Sequence, residues 1–212
     1  MFDIADMPPG IAALPRDHIG RPVPWFVETI DGKPDFRVMS WEALRDAVRF
    51  ELCWVCGKRR GRNVAFVLGP MCAVNRNTAE PPCHKDCAVY SARFCPHLST
   101  PRMERRERNL PADYVDAPGI MIRRNPGVAL VWCTRGFAVR NLPDGPLFTI
   151  GEPTEVLWYA EGRDATHAEV MASIESGMPL LRDADGVDNA TAQANLDRQL
   201  SAALRHVPAP VS

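Results

Sequence analysis

The chain has 212 residues, of which 46% are hydrophobic and 24% charged, and its formal net charge at neutral pH is −1. This composition is typical of a globular chain of one or two domains. No apolar run approaches the roughly 20 residues that a membrane-spanning helix requires, so no membrane partner is expected. The 20 prolines predict plentiful loops and extended segments.

The first predicted elements lead up to a cysteine-rich segment. Residues 1–20 show no sustained hydrophobic period and predict an extended N-terminal arm. Two extended runs within residues 23–39 predict a β-hairpin, with Trp25 and Phe36 packing inward. The segment 40–52 opens on a serine that suits an N-cap, and its apolar stripe predicts a helix.

That helix ends at the motif Cys53-x-x-Cys56-Gly57, and the motif His84-x-x-Cys87 follows further along. A Cys-x-x-Cys turn lets two thiolates converge, and the glycine after it is free to adopt positive φ. His84 and Cys87 share one face at a predicted helix start, where the helix dipole favours a thiolate. We therefore predict a structural zinc ion (Zn²⁺) bound by these four side chains, in an arrangement like a treble clef or zinc ribbon.

Cys83 is the alternative fourth ligand, because Cys83 and Cys87 are spaced i, i+4 and are also able to chelate one ion. Two other interpretations of the cysteines are a reduced, cysteine-rich core and redox chemistry. Disulfides are not expected, since the chain opens without a secretory signal pattern and its 7 cysteines are an odd number. A site closed by four protein ligands is structural, so no catalytic residue is predicted.

The rest of the chain predicts further strands and helices. A strand at 63–68, an irregular loop at 71–79 and a helix from 83 to about 94 come first. Residues 99–118, with several prolines and arginines, predict a partly helical connector. The remaining predicted elements are strands at 119–123, 128–133, 137–140, 147–150 and 155–160, and helices at 166–179 and 190–205. The first of these two helices opens on a capping box formed by Thr166 and Glu169.

These elements predict an α+β fold of antiparallel strands and several helices, with the treble-clef-like zinc site embedded in it. The zinc-site region spans residues 21–110, and an antiparallel sheet with two C-terminal helices spans 119–206. We expect the two regions to pack together as one continuous domain.

The charge is unevenly distributed along the chain. Residues 53–124 carry 13 Lys and Arg against 6 Asp and Glu, whereas the remainder carries 12 against 20. Such a basic region attracts nucleic acid or an acidic protein surface, although Arg-rich stretches with interleaved Glu also form solvated faces. The candidate partner-binding residues flank the predicted zinc site on both sides: Lys58, Arg59, Arg60, Arg62, Arg102, Arg105 and Arg106.

The chain resembles a group of treble-clef-like zinc-binding proteins, without an assigned activity, that bacteriophages and prophages encode. The resemblance is strong over residues 21–108 and weaker over 158–170. It rests mainly on the segments 21–27, 31–37, 53–57, 69–76 and 80–96. The resemblance implies Cys53, Cys56, His84 and Cys87 as the motif ligands and places Cys83 outside the pattern. It also implies a small early or accessory phage protein that acts in the bacterial cytoplasm.

The sequence favours a non-enzymatic protein that uses its rigid, basic zinc region to bind a host protein or nucleic acid. The alternative is a metal-dependent nucleic-acid-processing enzyme of the nuclease kind. A closed tetrahedral ion has no open position for water or substrate, which favours the binding protein.

Overall fold

The computed structural model describes residues 7–100, 114, 117–120, 122, 124–184 and 190–210. The helices over these residues are α1 (Pro9–Ala12), α2 (Trp41–Arg49), α3 (Pro70–Asn75), α4 (Lys85–Phe94), α5 (Pro96–Ser99), α6 (His167–Ala184) and α7 (Ala190–Leu204). The strands are β1 (Val27–Ile30), β2 (Lys33–Met39), β3 (Val64–Leu68), β4 (Asn77–Thr78), β5 (Ala129–Thr134), β6 (Phe137–Leu142), β7 (Gly145–Ile150), β8 (Pro153–Ala160) and β9 (Arg163–Asp164).

The described strands form antiparallel sheets, which together with the helices confirm the predicted α+β class. β1 and β2 form a hairpin, a second sheet has the order β3-β5-β8-β9, and a third has the order β4-β7-β6. The sheets join the two predicted regions, 21–110 and 119–206, because β3 pairs with β5 and β4 pairs with β7. The predicted sheet is therefore not confined to the C-terminal region.

The sheet that contains β5 separates two hydrophobic clusters. Every residue of β5 is buried, and its side chains alternate between the clusters. Leu130 and Trp132 belong to the first cluster, with α3, α6 and α7. Val131 and Cys133 belong to the second cluster, with residues of α1, α2 and α4. This cluster also contains Cys53, Cys56, Cys83 and Cys87. The core on one side of this sheet therefore depends on the packing on the other side.

The extended arm predicted over residues 1–20 is folded where the structure describes it. Residues 9–12 form the short helix α1, which starts with proline in its first turn. Met7 and Ile11 are buried in the second cluster. Burial of these two side chains fixes a helical turn that is too short to show a period in the sequence.

The predicted first hairpin is present, and its turn has two residues. Asp31 and Gly32 both have positive φ, at 50° and 73°, which is the backbone of a two-residue hairpin turn. Trp25 is half-buried against the second cluster, in agreement with the prediction. The inward orientation expected for Phe36 is wrong, because 43% of this residue is exposed and the guanidinium of Arg21 lies 5.0 Å over its ring.

The irregular loop predicted over residues 71–79 is wrong, because most of it is helix α3. Pro70 occupies the first turn of α3, where its missing N–H has no intrahelical partner to lose. Met71, Ala73 and Val74 are buried in the first cluster. Arg76 ends the helix in the left-handed region, with φ at 59°.

The two C-terminal helices are present, and the first is longer than the sequence predicts. The backbone N–H of Thr166 donates to Glu169 Oε2 at 2.8 Å, and the N–H of Glu169 donates to Thr166 Oγ1 at 3.3 Å, which confirms the capping box. The helix continues past Gly177, where a Cβ atom would lie 2.9 Å from the sulfur of Met71. Gly177 therefore permits α6 to approach α3 closely and does not end the helix.

Some predictions fall outside the described residues. These include most of the connector at 99–118, with Arg102, Arg105 and Arg106, and two positions of the strand at 119–123, whose described positions are not in a strand. Within the described residues, no helix combines the length and apolar character that crossing a membrane requires.

Candidate metal centre

The first cysteine pair lies on a tight turn held by backbone hydrogen bonds. The N–H of Cys53 donates to the carbonyl of Lys58 at 2.7 Å, and the N–H of Gly57 donates to the carbonyl of Cys53 at 2.8 Å. Gly57 has φ at 68°, in the left-handed region that the sequence predicts for it. We refer to residues 50–63 as the knuckle segment. Its two arms are joined by an isolated β-bridge between Leu52 and Arg59.

Trp25 lies directly against this turn. A Cβ atom on Gly57 would lie 2.6 Å from the Trp25 ring. The backbone N–H of Trp25 donates to the carbonyl of Val55 at 2.8 Å. Trp54 stacks on Phe26, with the ring centroids 4.7 Å apart, and its backbone N–H donates to the carbonyl of Pro82, shortly before α4, at 3.2 Å. The turn is thus held between the chain that leads into β1 and the start of α4.

The second ligand pair comes from the start of α4, which a backbone bridge aligns with β3. Cys83 and Ala65 exchange both backbone hydrogen bonds, at 2.7 and 2.9 Å. His84 is the N-cap residue of α4, and Cys87 lies in its first turn. The bridge therefore fixes the position at which the helix begins and turns His84 and Cys87 towards the knuckle.

The structure brings together the four side chains predicted as ligands. One ligand atom from each of Cys53, Cys56, His84 and Cys87 lies within 4.8 Å of the others. His84 Nδ1 is 3.4 Å from Cys56 Sγ and 3.9 Å from Cys87 Sγ. A tetrahedral ion with bonds of about 2.3 Å to sulfur and about 2.0 Å to nitrogen places these atoms about 3.6 Å apart. The cluster therefore has the dimensions of a metal-binding group.

The surroundings of His84 hold its ring in the orientation that a ligand needs. Its Nε2 lies 3.1 Å from the carbonyl oxygen of Arg59, which accepts only an N–H. The proton is therefore on Nε2, and Nδ1 presents its lone pair to the three sulfurs. The backbone N–H of His84 also donates to Cys53 Sγ at 3.3 Å, which stabilises negative charge on that sulfur.

Cys83 is not part of this group. Its thiol donates to the carbonyl of Ala65 at 3.2 Å and also interacts with Cys53, but its sulfur is not among the four ligand atoms that come together. The reason is the backbone bridge, which gives residue 83 an extended conformation before the helix begins. Among the two candidates for the fourth position, the geometry favours His84.

The thiols influence each other's protonation. Hydrogen bonds from neighbouring thiols, that of Cys56 foremost, lower the pKa of Cys53 far below its ordinary value. The same hydrogen bonds to Cys53 raise the pKa of Cys56 and of Cys87. One sulfur therefore ionises readily, and its negative charge opposes ionisation of the others. A divalent cation removes this opposition, because a coordinated thiol loses its proton.

The centre is covered on the side of the N-terminal helix. Cys53, Cys56 and Cys87 are buried, whereas His84 is only half-buried. A Cβ atom on Gly10 would lie 3.0 Å from Cys56 Sγ, so glycine allows α1 to lie directly on the cysteines. The spacing of the cysteines contains no signal for this cover, which sequence reasoning missed.

The basic residues of the knuckle segment fall into two groups. Lys58, Arg59 and Arg62 are exposed. Arg60 is half-buried, its guanidinium lies 5.1 Å over the ring of Phe137, and burial lowers its pKa. Of the four predicted contact residues in this segment, Arg60 is thus partly used within the fold.

Arg135 joins this surface, although it is distant in sequence. The pairing of β3 with β5 sets Val64 opposite Thr134, which brings the residues that flank these two together. Arg135 is exposed, and its Nε donates to the side-chain oxygen of Asn63 at 3.2 Å. Only the sheet register, which the sequence does not reveal, brings Arg135 to the knuckle segment.

The fold and the centre together define an α+β protein with a group of three buried cysteines and one half-buried histidine suited to a metal ion. No known protein family, curated protein or solved structure matches this chain. Its function is therefore inferred from its own residues.

Proposed function

We propose that the centre binds a single structural zinc ion that fixes the knuckle segment to the start of α4. Three thiolates and an imidazole are a common donor set for structural zinc, and four protein ligands leave no open position on the ion. The burial of the three cysteines and the hydrogen bond from His84 to Arg59 support this role. The chain order of knuckle, strand, return and helix supports a treble-clef-like arrangement.

We further propose that the protein acts by binding a macromolecular partner with the exposed cations of the knuckle segment. The observation that carries this proposal is the exposure of Lys58 and Arg62 on the hydrogen-bonded knuckle segment, to which Arg135 is joined through Asn63 at 3.2 Å. None of the three makes an ion pair with another described residue. Uncompensated cations on a rigid turn favour an acidic protein surface or nucleic acid.

The resemblance over residues 21–108 supports a phage or prophage origin for the protein. In this proposal the chain is a phage or prophage accessory protein in the cytoplasm of a bacterial host. The nuclease alternative is less well supported, because an ion held by four protein ligands has no site for water or substrate.

The test is a pull-down from a bacterial host lysate, with metal content measured on the same purified protein. We expect one zinc ion per chain and a partner that wild type captures. The variant Lys58→Glu/Arg62→Glu should lose this partner, whereas the control Lys33→Glu/Arg198→Glu, which reverses two exposed cations elsewhere, should retain it. Zinc-free protein with intact folding, or equal capture by both variants, would contradict the proposal.

A further inference from the structure

An exposed aromatic side chain adjoins the basic residues of the knuckle segment. Phe50 follows the last residue of α2, and 49% of it is exposed. Glu51 then adopts φ at 54°, which turns the chain from the helix into the knuckle. A single exposed ring is ordinary on a protein surface, so the significance of Phe50 depends on the residues around it.

The pairing of the knuckle arms brings Phe50 to the side of the basic residues. The N–H of Cys53 donates to Lys58, Leu52 lies opposite Arg59, and the N–H of Arg60 donates to the carbonyl of Glu51 at 2.9 Å. Phe50 itself closes α2, with φ at −107° and ψ at 8°, so it directly precedes this pairing and adjoins the Glu51–Arg60 hydrogen bond. Phe50 therefore lies at the open end of the knuckle segment, beside the arm that carries Arg59, Arg60 and Arg62, whereas Lys58 lies at the turn.

Positive charge exceeds negative charge around this ring. The exposed cations are Lys58, Arg59, Arg62 and Arg135, joined by Arg49, whose guanidinium lies 5.0 Å over the Phe50 ring. Two carboxylates are nearby: Glu51, which lies 4.0 Å from Arg59, and Asp46, which precedes Phe50 by one turn of α2. The balance remains positive after both carboxylates are counted.

We propose that this surface binds single-stranded nucleic acid, with a base stacked on the Phe50–Arg49 pair and phosphates bound by the surrounding cations. This inference rests on the proposed function and names its partner. Aromatic and guanidinium planes stack unpaired bases, and cationic grooves hold the backbone. A paired base in a duplex presents no free face to such a ring. An acidic protein surface would use the cations but would not require the planar ring.

The experiment uses fluorescence anisotropy of labelled dT20 and of a 20-base-pair duplex with full-length, zinc-loaded protein. Phe50→Ala tests stacking. Phe36→Ala is the matched control, because Phe36 is similarly exposed, at 43%, and also carries an arginine, Arg21, over its ring at 5.0 Å. Zinc content and near-UV circular dichroism establish that both variants are folded.

We expect tighter binding of dT20 than of duplex, and a loss of about tenfold or more in Phe50→Ala, with no loss in Phe36→Ala. Four phosphate contacts predict that log K falls with log salt at a slope of about −3. Equal binding by the two variants, or no preference over duplex, overturns the inference. If the pull-down yields a protein that depends on Lys58 and Arg62 while dT20 is not bound, the proposed function stands and this inference fails.

Discussion

At the scale of single residues, His84 shows how a local hydrogen bond selects a ligand. Cys83 and His84 are adjacent and both contain a metal-binding atom, so spacing alone leaves the choice open. The structure separates them, because the Cys83 thiol donates to Ala65 whereas His84 Nδ1 lies among the sulfurs. The carbonyl of Arg59 holds the other ring nitrogen of His84. A backbone acceptor thus orients one of two neighbouring side chains as the candidate ligand.

This assignment predicts opposite results for two neighbouring alanine variants. His84→Ala removes a ligand, so its zinc affinity should fall by more than about a hundredfold, since loss of a merely supporting partner costs about 10- to 100-fold. Cys83→Ala should keep one ion per chain with nearly unchanged affinity. Competition with a chromophoric chelator measures both. Retention of zinc by His84→Ala together with loss by Cys83→Ala would show that Cys83 is the ligand.

The residues of the centre were predictable because their signal is local, whereas their surroundings were not. Cys-x-x-Cys-Gly and His-x-x-Cys place two ligands on one turn and two on one helix start, whatever the rest of the chain does. Gly10 and Arg135 reach the centre and the knuckle segment through tertiary packing and the β3–β5 register. No pattern in a single sequence encodes a register between strands so far apart in the chain.

At the scale of secondary structure, the helix starts marked by a capping residue were predicted correctly. The elements whose bounds depend on tertiary packing were not. The Ser40 N-cap and the capping box at Thr166 are present, since each is a short-range hydrogen-bond pattern. α3 is not evident from the sequence because its six residues are too few to show a helical period, although Pro70 suits the first turn of a helix. The end of α6 was placed too early, because Gly177 serves contact with α3.

The start of α6 predicts an acid-sensitive contribution to stability. Arg163 and the N–H of Thr166 bond the Glu169 carboxylate and lower its pKa from 4.5 to about 2. This depressed pKa stabilises the folded state above the unfolded pKa, and the stabilisation is lost as pH falls from about 4.5 towards 2. Because Arg163 is half-exposed, we expect Glu169→Gln to lower the free energy of unfolding by only about 1 kcal/mol at neutral pH.

Urea unfolding of wild type and Glu169→Gln at pH 7 and at about pH 3 measures this contribution. The difference between the two proteins should be smaller at the lower pH. Glu175→Gln is the matched control, because Glu175 is an exposed carboxylate on the same helix without an ion pair to a described residue. A difference that does not depend on pH, or an equal effect of Glu175→Gln, would contradict the proposed cause.

At the scale of the whole molecule, the sheet couples the metal centre to the rest of the core. β3 and β5 pair over five residues, from Val64 opposite Thr134 to Leu68 opposite Leu130. Ala65 and Cys133 face the cluster that contains the cysteines, whereas Phe66 and Trp132 face the other cluster. Loosening one face of a strand that is buried on both faces also loosens the other. The two regions that the sequence distinguishes therefore contribute residues to both hydrophobic clusters.

Metal removal should for this reason destabilise the whole protein and not only the knuckle segment. Structural zinc contributes about 10–16 kcal/mol of apparent binding free energy in small zinc domains, comparable with the entire stability of a domain. We expect a strong chelator to lower Tm by more than about 10 °C. Hydrogen exchange should show lost protection at residues 129–134 as well as at 53–57. If chelation released only 53–57 and left β5 fully protected, the metal centre would be an independent unit, and the sheet would not transmit its loss.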